Sequence, residues 1–457
     1  MKINIDAFKL HPTQILVLGF LGVITLGTML LMLPVASRSG LSIGFVDALF
    51  TATSAVCVTG LVVVNTMEHW TMFGKLVILL LIQIGGLGFM TITTTFFILL
   101  GKKIRLKERL VIQESLGQTS ISGMVKLVVN ILLGTLIFEG IGAVLLSIKF
   151  VPEYGAYGIF MGIFHSVSAF CNAGFDIIGQ ESLIPYRGDI LVNFAVMSLI
   201  ILGGLGFSVW MDLVRVTKDR YRKRYTWRRW FRQLSLHTKL VLSISLGLIL
   251  SGAVFFLVAE GWNPNTLGGL GAKDKFLGAL FQSVTARTAG FNTMPLDVMT
   301  NGSKFVTIIL MFIGGSPGGT TGGVKTVTMG VLLLSMLSVV QGKEELVAFK
   351  RRIPDTTIKR ALAVVMISLF MVIAVTLALS MTEETSFINI FFETVSAFAT
   401  VGLTLGITLD LETASKLLLS FTMFAGRLGP VTLAVAFSLR GTHKSSIHMP
   451  EEKIMVG

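Results

Sequence analysis

Charge is scarce in this 457-residue chain: Asp, Glu, Lys and Arg together make 14 % of it, against 53 % hydrophobic residues. With a mean hydropathy of +0.80 that balance excludes an ordinary water-soluble domain and places the chain in a bilayer. Cysteine is scarcer still. The only two, Cys57 and Cys171, sit in apolar phrases, which excludes a disulfide framework and a thiolate metal site. Met1 to Pro12 lacks the layout of a removable signal peptide, so the first apolar run is expected to be retained. Acidic residues are outnumbered, 25 against 38 Lys and Arg, for a net charge of +13. Such a surplus can mark a nucleic-acid binder, but here its distribution is explained by membrane topology and no nucleic acid is expected.

Charge-free runs long enough to span a bilayer occur at Gln14 to Leu33, Leu76 to Leu100, Ile190 to Met211, Leu240 to Ala259 and Ala361 to Met381. Three further runs carry a charge or a break: Leu127 to Ile148 with Glu139, Phe305 to Val340 with Lys325, and Leu417 to Leu439 with Arg427. Eight spans return the chain to its starting side. Of the 38 Lys and Arg, 27 fall on the face that holds both termini and the three long connectors, so that face is expected to be cytoplasmic. The densest stretch, Arg215 to Arg232, interleaves basic and aromatic residues. It suits anionic lipid headgroups or an acidic protein partner, or serves only as a topology anchor.

Glycine, by contrast, is abundant and periodic. Gly60, Gly174, Gly290 and Gly402 recur at intervals of 114, 116 and 112 residues. Each ends a similar phrase: Phe50-Thr-Ala-Thr-Ser-Ala-Val-Cys-Val-Thr-Gly60, Phe164-His-Ser-Val-Ser-Ala-Phe-Cys-Asn-Ala-Gly174, Phe281-Gln-Ser-Val-Thr-Ala-Arg-Thr-Ala-Gly290 and Phe392-Glu-Thr-Val-Ser-Ala-Phe-Ala-Thr-Val-Gly402. The third is one residue short. A glycine patch follows each: Gly85-Gly-Leu-Gly88, Gly203-Gly-Leu-Gly206, Gly314 to Gly323, and Gly426-Arg-Leu-Gly429. One unit used four times is the economical reading. The expected fold is an all-α integral membrane protein of four membrane-pore-membrane repeats, with eight transmembrane helices and four re-entrant pore half-helices in pseudo-fourfold arrangement. Its repeats are expected at residues 1–100, 101–213, 214–340 and 341–439, with a cytoplasmic tail at 440–457.

Non-helical backbone at membrane depth is tolerated only where protein buries it or a watery cavity receives it. Four loops meeting on an axis would supply a ring of main-chain carbonyls, which can replace the hydration shell of a monovalent cation. The expected filter residues are Val58, Thr59 and Gly60; Asn172, Ala173 and Gly174; Thr288, Ala289 and Gly290; and Thr400, Val401 and Gly402, with K⁺ at their carbonyls. The competing reading is that each glycine only lets helices pack closely.

Gly314, Gly315, Ser316, Pro317, Gly318, Gly319, Thr320, Thr321, Gly322 and Gly323 cannot continue a helix without large cost. Below a filter, that segment reads as a gate, or else as a static kink. A phosphate loop fails on spacing, because Val324 precedes Lys325. Arg427 stands where two sibling patches have Gly86 and Gly204, and reads as a barrier paired with carbonyls of the broken segment or with Glu139. Lys325 snorkels on this reading, and Arg287 braces the filter from behind.

These motifs closely resemble the superfamily of Trk, Ktr and HKT potassium transporters over essentially the full length. The filter glycines, Gly315-Ser-Pro-Gly-Gly-Thr-Thr-Gly-Gly-Val-Lys325 and Arg427 carry the resemblance, and eight spans look most like the Ktr membrane subunit. Gly60, where sodium-selective members have Ser, favours potassium. The resemblance implies a homodimer with one pore per subunit, and a cytosolic ring of nucleotide-binding regulatory subunits on the basic face. ATP or ADP would then act on that partner, since no cofactor is expected in this chain. The expected role is potassium uptake across the cell membrane, with membrane lipid around the chain and both termini cytoplasmic. A sodium-coupled symporter with alternating access is the alternative, in which Asp176 and Asp297 would matter. An enzyme is not expected: His165 aligns with Thr51, Gln282 and Glu393, which argues for a half-helix position and against a catalytic base.

Overall fold

The structure, a computed structural model, describes residues 12–88, 91, 94, 110, 124–224 and 226–437. The expected tail at 440–457, the extreme N-terminus, most of the first connector and the inner half of the run from Leu76 lie outside the described residues. In chain order, α1 (Pro12–Leu31) leads to α2 (Phe45–Cys57), the single turn α3 (Thr66–His69) and α4 (Met72–Leu87). Next come α5 (Met124–Tyr154), α6 (Tyr157–Cys171), α7 (Ile190–Gly204) and α8 (Phe207–Lys223). α9 (Trp227–Gln233) precedes α10 (Leu236–Glu260), α11 (Ala272–Thr285), α12 (Asn301–Phe312) and α13 (Thr326–Val340). A small antiparallel hairpin, β1 (Val347–Ala348) with β2 (Arg351–Arg352), pairs Val347 with Arg352 and Ala348 with Arg351. α14 (Asp355–Thr382), α15 (Phe387–Ala399), α16 (Thr413–Leu428) and α17 (Pro430–Phe437) complete the described chain.

Among the described residues, α1, α5, α10 and α14 are the helices long and apolar enough to cross a membrane. They are peripheral, with outward side chains such as Phe370 at 75 % and Val258 at 67 % exposure. Such a face is at home against lipid or another apolar surface, not against water. The short helices form the centre instead: in α2 every residue from Phe50 to Cys57 is buried, and in α15 every residue from Phe392 to Ala399. Hydrophobicity alone would bury the long helices, but a bilayer reverses that preference because lipid is as apolar as the core.

Contacts between helices run in a cycle. α2 packs on α1 and α4 and reaches α16; α6 packs on α5 and α7 and reaches α4; α11 packs on α10 and reaches α7; α15 packs on α14 and α16 and reaches α12. Each short helix therefore touches the helix that ends the preceding repeat. Side-chain caps start three of those ending helices: the Thr71 hydroxyl accepts from the Gly74 N–H, Asp189 from Leu191 and Val192, and the Thr300 hydroxyl from Ser303. Each such bond satisfies an N–H that the helix leaves unpaired.

The expectation of unbroken second spans outside 314–323 is not met. α4 stops at Gly88, α7 turns through 97° into α8 at Gly206, and α16 stops at Gly429. These three glycines, the last of each patch, have φ of 82°, 91° and 87°. That backbone suits glycine and ends a right-handed helix. After its bend, α8 carries Arg215, Lys218, Arg220, Arg222 and Lys223, too many charges to lie in hydrocarbon. Asp212 fastens it to the start of α10 by accepting from the Ser235 N–H at 2.8 Å and the Thr238 hydroxyl at 2.7 Å. Burial opposes its charge, but these donors and Arg215 hold its carboxyl below the usual range.

Candidate functional site

Three of the four short helices end in one way. Val58, Asn172 and Thr400, the residues after α2, α6 and α15, are left-handed with φ of 59°, 59° and 52°. The next N–H closes a wide turn in each: Thr59 to the Ser54 carbonyl at 2.8 Å, Ala173 to Ser168 at 2.7 Å, and Val401 to Ser396 at 2.9 Å. This is the Schellman pattern. The phrase that is one residue short ends differently. Ala289 donates to the Thr285 carbonyl at 2.9 Å, one residue nearer, and Thr288 takes the positive φ of 75°. A tighter turn thus absorbs the deletion and delivers Gly290 to the same place as its siblings.

That place is a closed ring. A Cβ on Gly60 would stand 2.4 Å from the Ala173 carbonyl oxygen, one on Gly174 2.8 Å from that of Ala289, one on Gly290 2.5 Å from that of Val401, and one on Gly402 2.1 Å from that of Thr59. Each glycine faces the carbonyl before the next glycine, and the fourth returns to the first. With φ between 69° and 92°, a larger residue at any of the four is strained by backbone conformation as well as by contact. Around the ring, Asn172 Oδ1 and the Thr59, Thr288 and Thr400 hydroxyls are buried with no hydrogen-bond partner among the described residues. Buried polar oxygens left without protein partners fit a cation or water as their complement.

Four hydroxyls unnoticed in the sequence reading support the ring. The Ser54 and Ser396 hydroxyls accept from Gly60 and Gly402 at 3.0 and 3.1 Å, while Ser168 and Thr285 donate to the Phe175 and Phe291 carbonyls, both at 2.7 Å. The signal was available, because each repeat carries Ser or Thr before Ala at this position. Nine or eight residues ahead of the glycines come Thr51, His165, Gln282 and Glu393. His165 donates from Nδ1 to the Met161 carbonyl at 2.7 Å and accepts at Nε2 from the Ile177 N–H at 3.3 Å, so both ring nitrogens are engaged with backbone. Glu393 likewise accepts from the Thr408 hydroxyl beyond the ring.

Residues 313–325 interrupt the path from α12 to α13, with Ile313 and Val324 bridged side by side. The segment lies directly beneath the ring. A Cβ on Gly322 would meet Thr400 Oγ1 at 2.3 Å, and one on Gly323 would meet the Ala399 Cβ at 3.0 Å. It is held by the broken second helix of the preceding repeat: Ser316 donates to the Gly204 carbonyl at 2.9 Å, Thr320 to Gly203 at 3.2 Å, and Phe207 to Gly318 at 2.9 Å. Arg427 grips it from the other side. Its guanidinium donates to the carbonyls of Thr320, Gly85 and Gly86, the last at 3.2 Å. Of the two partners expected for Arg427, the structure selects the carbonyls. Glu139 is engaged elsewhere, accepting from the Gln83 amide at 3.2 Å.

Lys325 turns back on its own segment, to the Thr321 and Gly322 carbonyls, in place of snorkelling. Arg287 points away from the ring to Ser245 on α10, donating to its hydroxyl at 3.2 Å. A cavity of about 280 Å³ lies against the segment, lined by Phe20, Phe207, Pro317, Lys325 and Arg427 among others.

The family model for the TrkH cation transport protein matches residues 6–447. The Ktr system potassium uptake protein B of Bacillus subtilis is 44 % identical over 450 residues, covering 98 % of this chain and 97 % of that protein. The potassium/sodium uptake protein NtpJ of Enterococcus hirae is 42 % identical, with 98 % of each chain covered. The Ktr system potassium uptake protein B of Vibrio alginolyticus is 41 % identical, covering 99 % and 96 %. Among solved structures, the potassium transporter TrkH of Vibrio parahaemolyticus has a TM-score of 0.72 at 18 % identity, covering 96 % of this chain and 87 % of that one, a likeness of fold.

Proposed function

The chain belongs to the TrkH family of cation transport proteins, and from that membership and the glycine ring we propose that it takes up potassium through a carbonyl-lined filter closed by an intramembrane gate. Its relatives are cation transporters, not enzymes. The observation that carries the filter is the cyclic contact of Gly60, Gly174, Gly290 and Gly402 with one another's preceding carbonyls. On this reading the repeats are four membrane-pore-membrane units around one axis. External K⁺ sheds water at Val58 to Gly60, Asn172 to Gly174, Thr288 to Gly290 and Thr400 to Gly402. C-terminal ends of the four short helices direct their negative dipole ends at the ion.

Below it, Gly314 to Gly323 obstruct the path, and Arg427 adds positive charge under the filter. Three carbonyl acceptors offset the cost of placing that charge at membrane depth, roughly 2.5 to 3.5 kcal/mol when unpaired. The basic face, with both termini, is assigned to the cytoplasm. A homodimer with one pore in each subunit docks there on a cytosolic ring of regulatory subunits that binds ATP or ADP. Relatives named for a Ktr system support a partner subunit. Sodium-coupled symport is not favoured by relatives named for potassium uptake, while the one named for potassium and sodium leaves Na⁺ as a second ion to assay.

The test is K⁺ and Na⁺ tracer flux through purified protein in liposomes, comparing the parent with Gly290→Ser. Serine at φ 83° brings its Cβ within 2.5 Å of the Val401 oxygen. About 1–2 kcal/mol of backbone strain applied to the carbonyl ring is expected to lower the preference for K⁺ over Na⁺ by roughly tenfold. Ion competition equal to the parent's, in protein inserted at normal yield, would sink the carbonyl filter.

A further inference from the structure

Thr320 has every polar group occupied, and by three different parts of the molecule. Its N–H donates to the Gly203 carbonyl at 3.2 Å, and its carbonyl accepts from Arg427. Its hydroxyl accepts from the Asn172 side-chain amide at 2.7 Å and donates to the Phe170 carbonyl at 3.3 Å. Asn172 and Thr320 are both fully buried. The geometry also orients the amide. Its nitrogen is the end that faces two acceptors, Thr320 Oγ1 and, at 3.4 Å, the Phe170 carbonyl.

Asn172 is the left-handed residue that ends α6 and begins the second filter phrase. Its counterparts do not make this link. Val58 has no donor, and the Thr288 and Thr400 hydroxyls have no hydrogen-bond partner among the described residues although both phrases touch the segment. A buried side-chain bond therefore joins filter and segment at one of four equivalent positions.

We propose that Asn172 is a positioning residue that latches the intramembrane segment shut through the Thr320 hydroxyl, so that the second filter phrase and the gate move as one coupled unit. The proposal rests on the gate reading above. Opening displaces Thr320 from beneath α6, and the Asn172 amide then loses its buried acceptor. A group buried without its partner is costly, so the bond favours the closed segment. Coupling of this kind is reciprocal: whatever steadies the second phrase steadies the closed gate.

The test is K⁺ flux through the full chain in liposomes without any cytosolic partner. Thr320→Val removes the hydroxyl at nearly constant volume, and Thr320→Ser keeps it. The expected order of ungated flux is parent, then Thr320→Ser, then Thr320→Val, the last about tenfold above the parent, the size of one lost buried hydrogen bond. Asn172→Leu is expected to raise flux alone but to add little in the Thr320→Val background, because residues sharing a bond are not additive. A mere packing role predicts independent, additive effects and no separation of Ser from Val, and either result overturns the latch. Deleting Gly315–Thr321 is the control. If the deletion raises flux and Thr320→Val does not, the latch is wrong and the gate stands; if neither raises it, the gate reading itself falls.

Discussion

Ser396 and Ser54 show how single hydroxyls shape the ring. Each accepts the N–H of its own glycine, whereas Ser168 and Thr285 donate to a carbonyl beyond theirs, so opposite bonds hold equivalent turns. Ser396→Ala leaves the Gly402 N–H without that acceptor in a buried site, a cost of about 1–3 kcal/mol. The expected outcome is a lower melting temperature together with weaker K⁺ over Na⁺ discrimination in liposome flux. Thermal stability equal to the parent's would mean that water replaces the hydroxyl. The glycines were legible in the sequence because their period survives every insertion between them. These hydroxyls were no less periodic, but a Ser in an apolar phrase has many local uses, and only the position of the returning chain shows which bond it makes.

At the scale of elements, the four glycine patches act as helix breaks with different outcomes. Three break at one glycine of positive φ, while the third expands into the segment from Gly314 to Gly323 that fills the space beneath the ring. Deleting Gly315–Thr321 removes the Ser316 and Thr320 bonds to the broken α7 and the Arg427 bond to Thr320. Partner-free K⁺ flux is expected to rise at least severalfold at normal expression; flux at the parent level would mean that the segment is a static kink. The long patch was recognisable from composition, since proline and six glycines cannot sustain a helix. The other three lie inside runs that read as continuous spans. A Gly-Gly-Leu-Gly run is apolar enough to pass as transmembrane helix, and its cost of about 1 kcal/mol per glycine does not by itself end one. At Gly206 a neighbouring repeat meets the break, where the Pro317 carbonyl stands 2.5 Å from where a Cβ would be.

For the whole molecule, the inverted burial of short and long helices is the consequence of lipid, and sidedness is its most direct test. On the proposed topology Trp262, 88 % exposed between α10 and α11, faces the outside, and Lys343, exposed after α13, faces the cytoplasm. Native Cys57 and Cys171 are buried, so background labelling is low. In intact cells a membrane-impermeant maleimide is expected to label Trp262→Cys and to reach Lys343→Cys only after permeabilisation; the reverse pattern would invert the topology.

The membrane class, the fourfold period and the glycine and arginine positions were determined by the sequence alone, because hydropathy, charge asymmetry and a repeat length are properties of one chain read in order. The partner of Arg427, the tighter turn that compensates the short third phrase and the bond from Asn172 to Thr320 were decided only by tertiary structure. Each joins repeats over a hundred residues apart or depends on where a neighbour's carbonyl falls, and a pseudo-symmetric pattern treats as equivalent the positions that packing makes different.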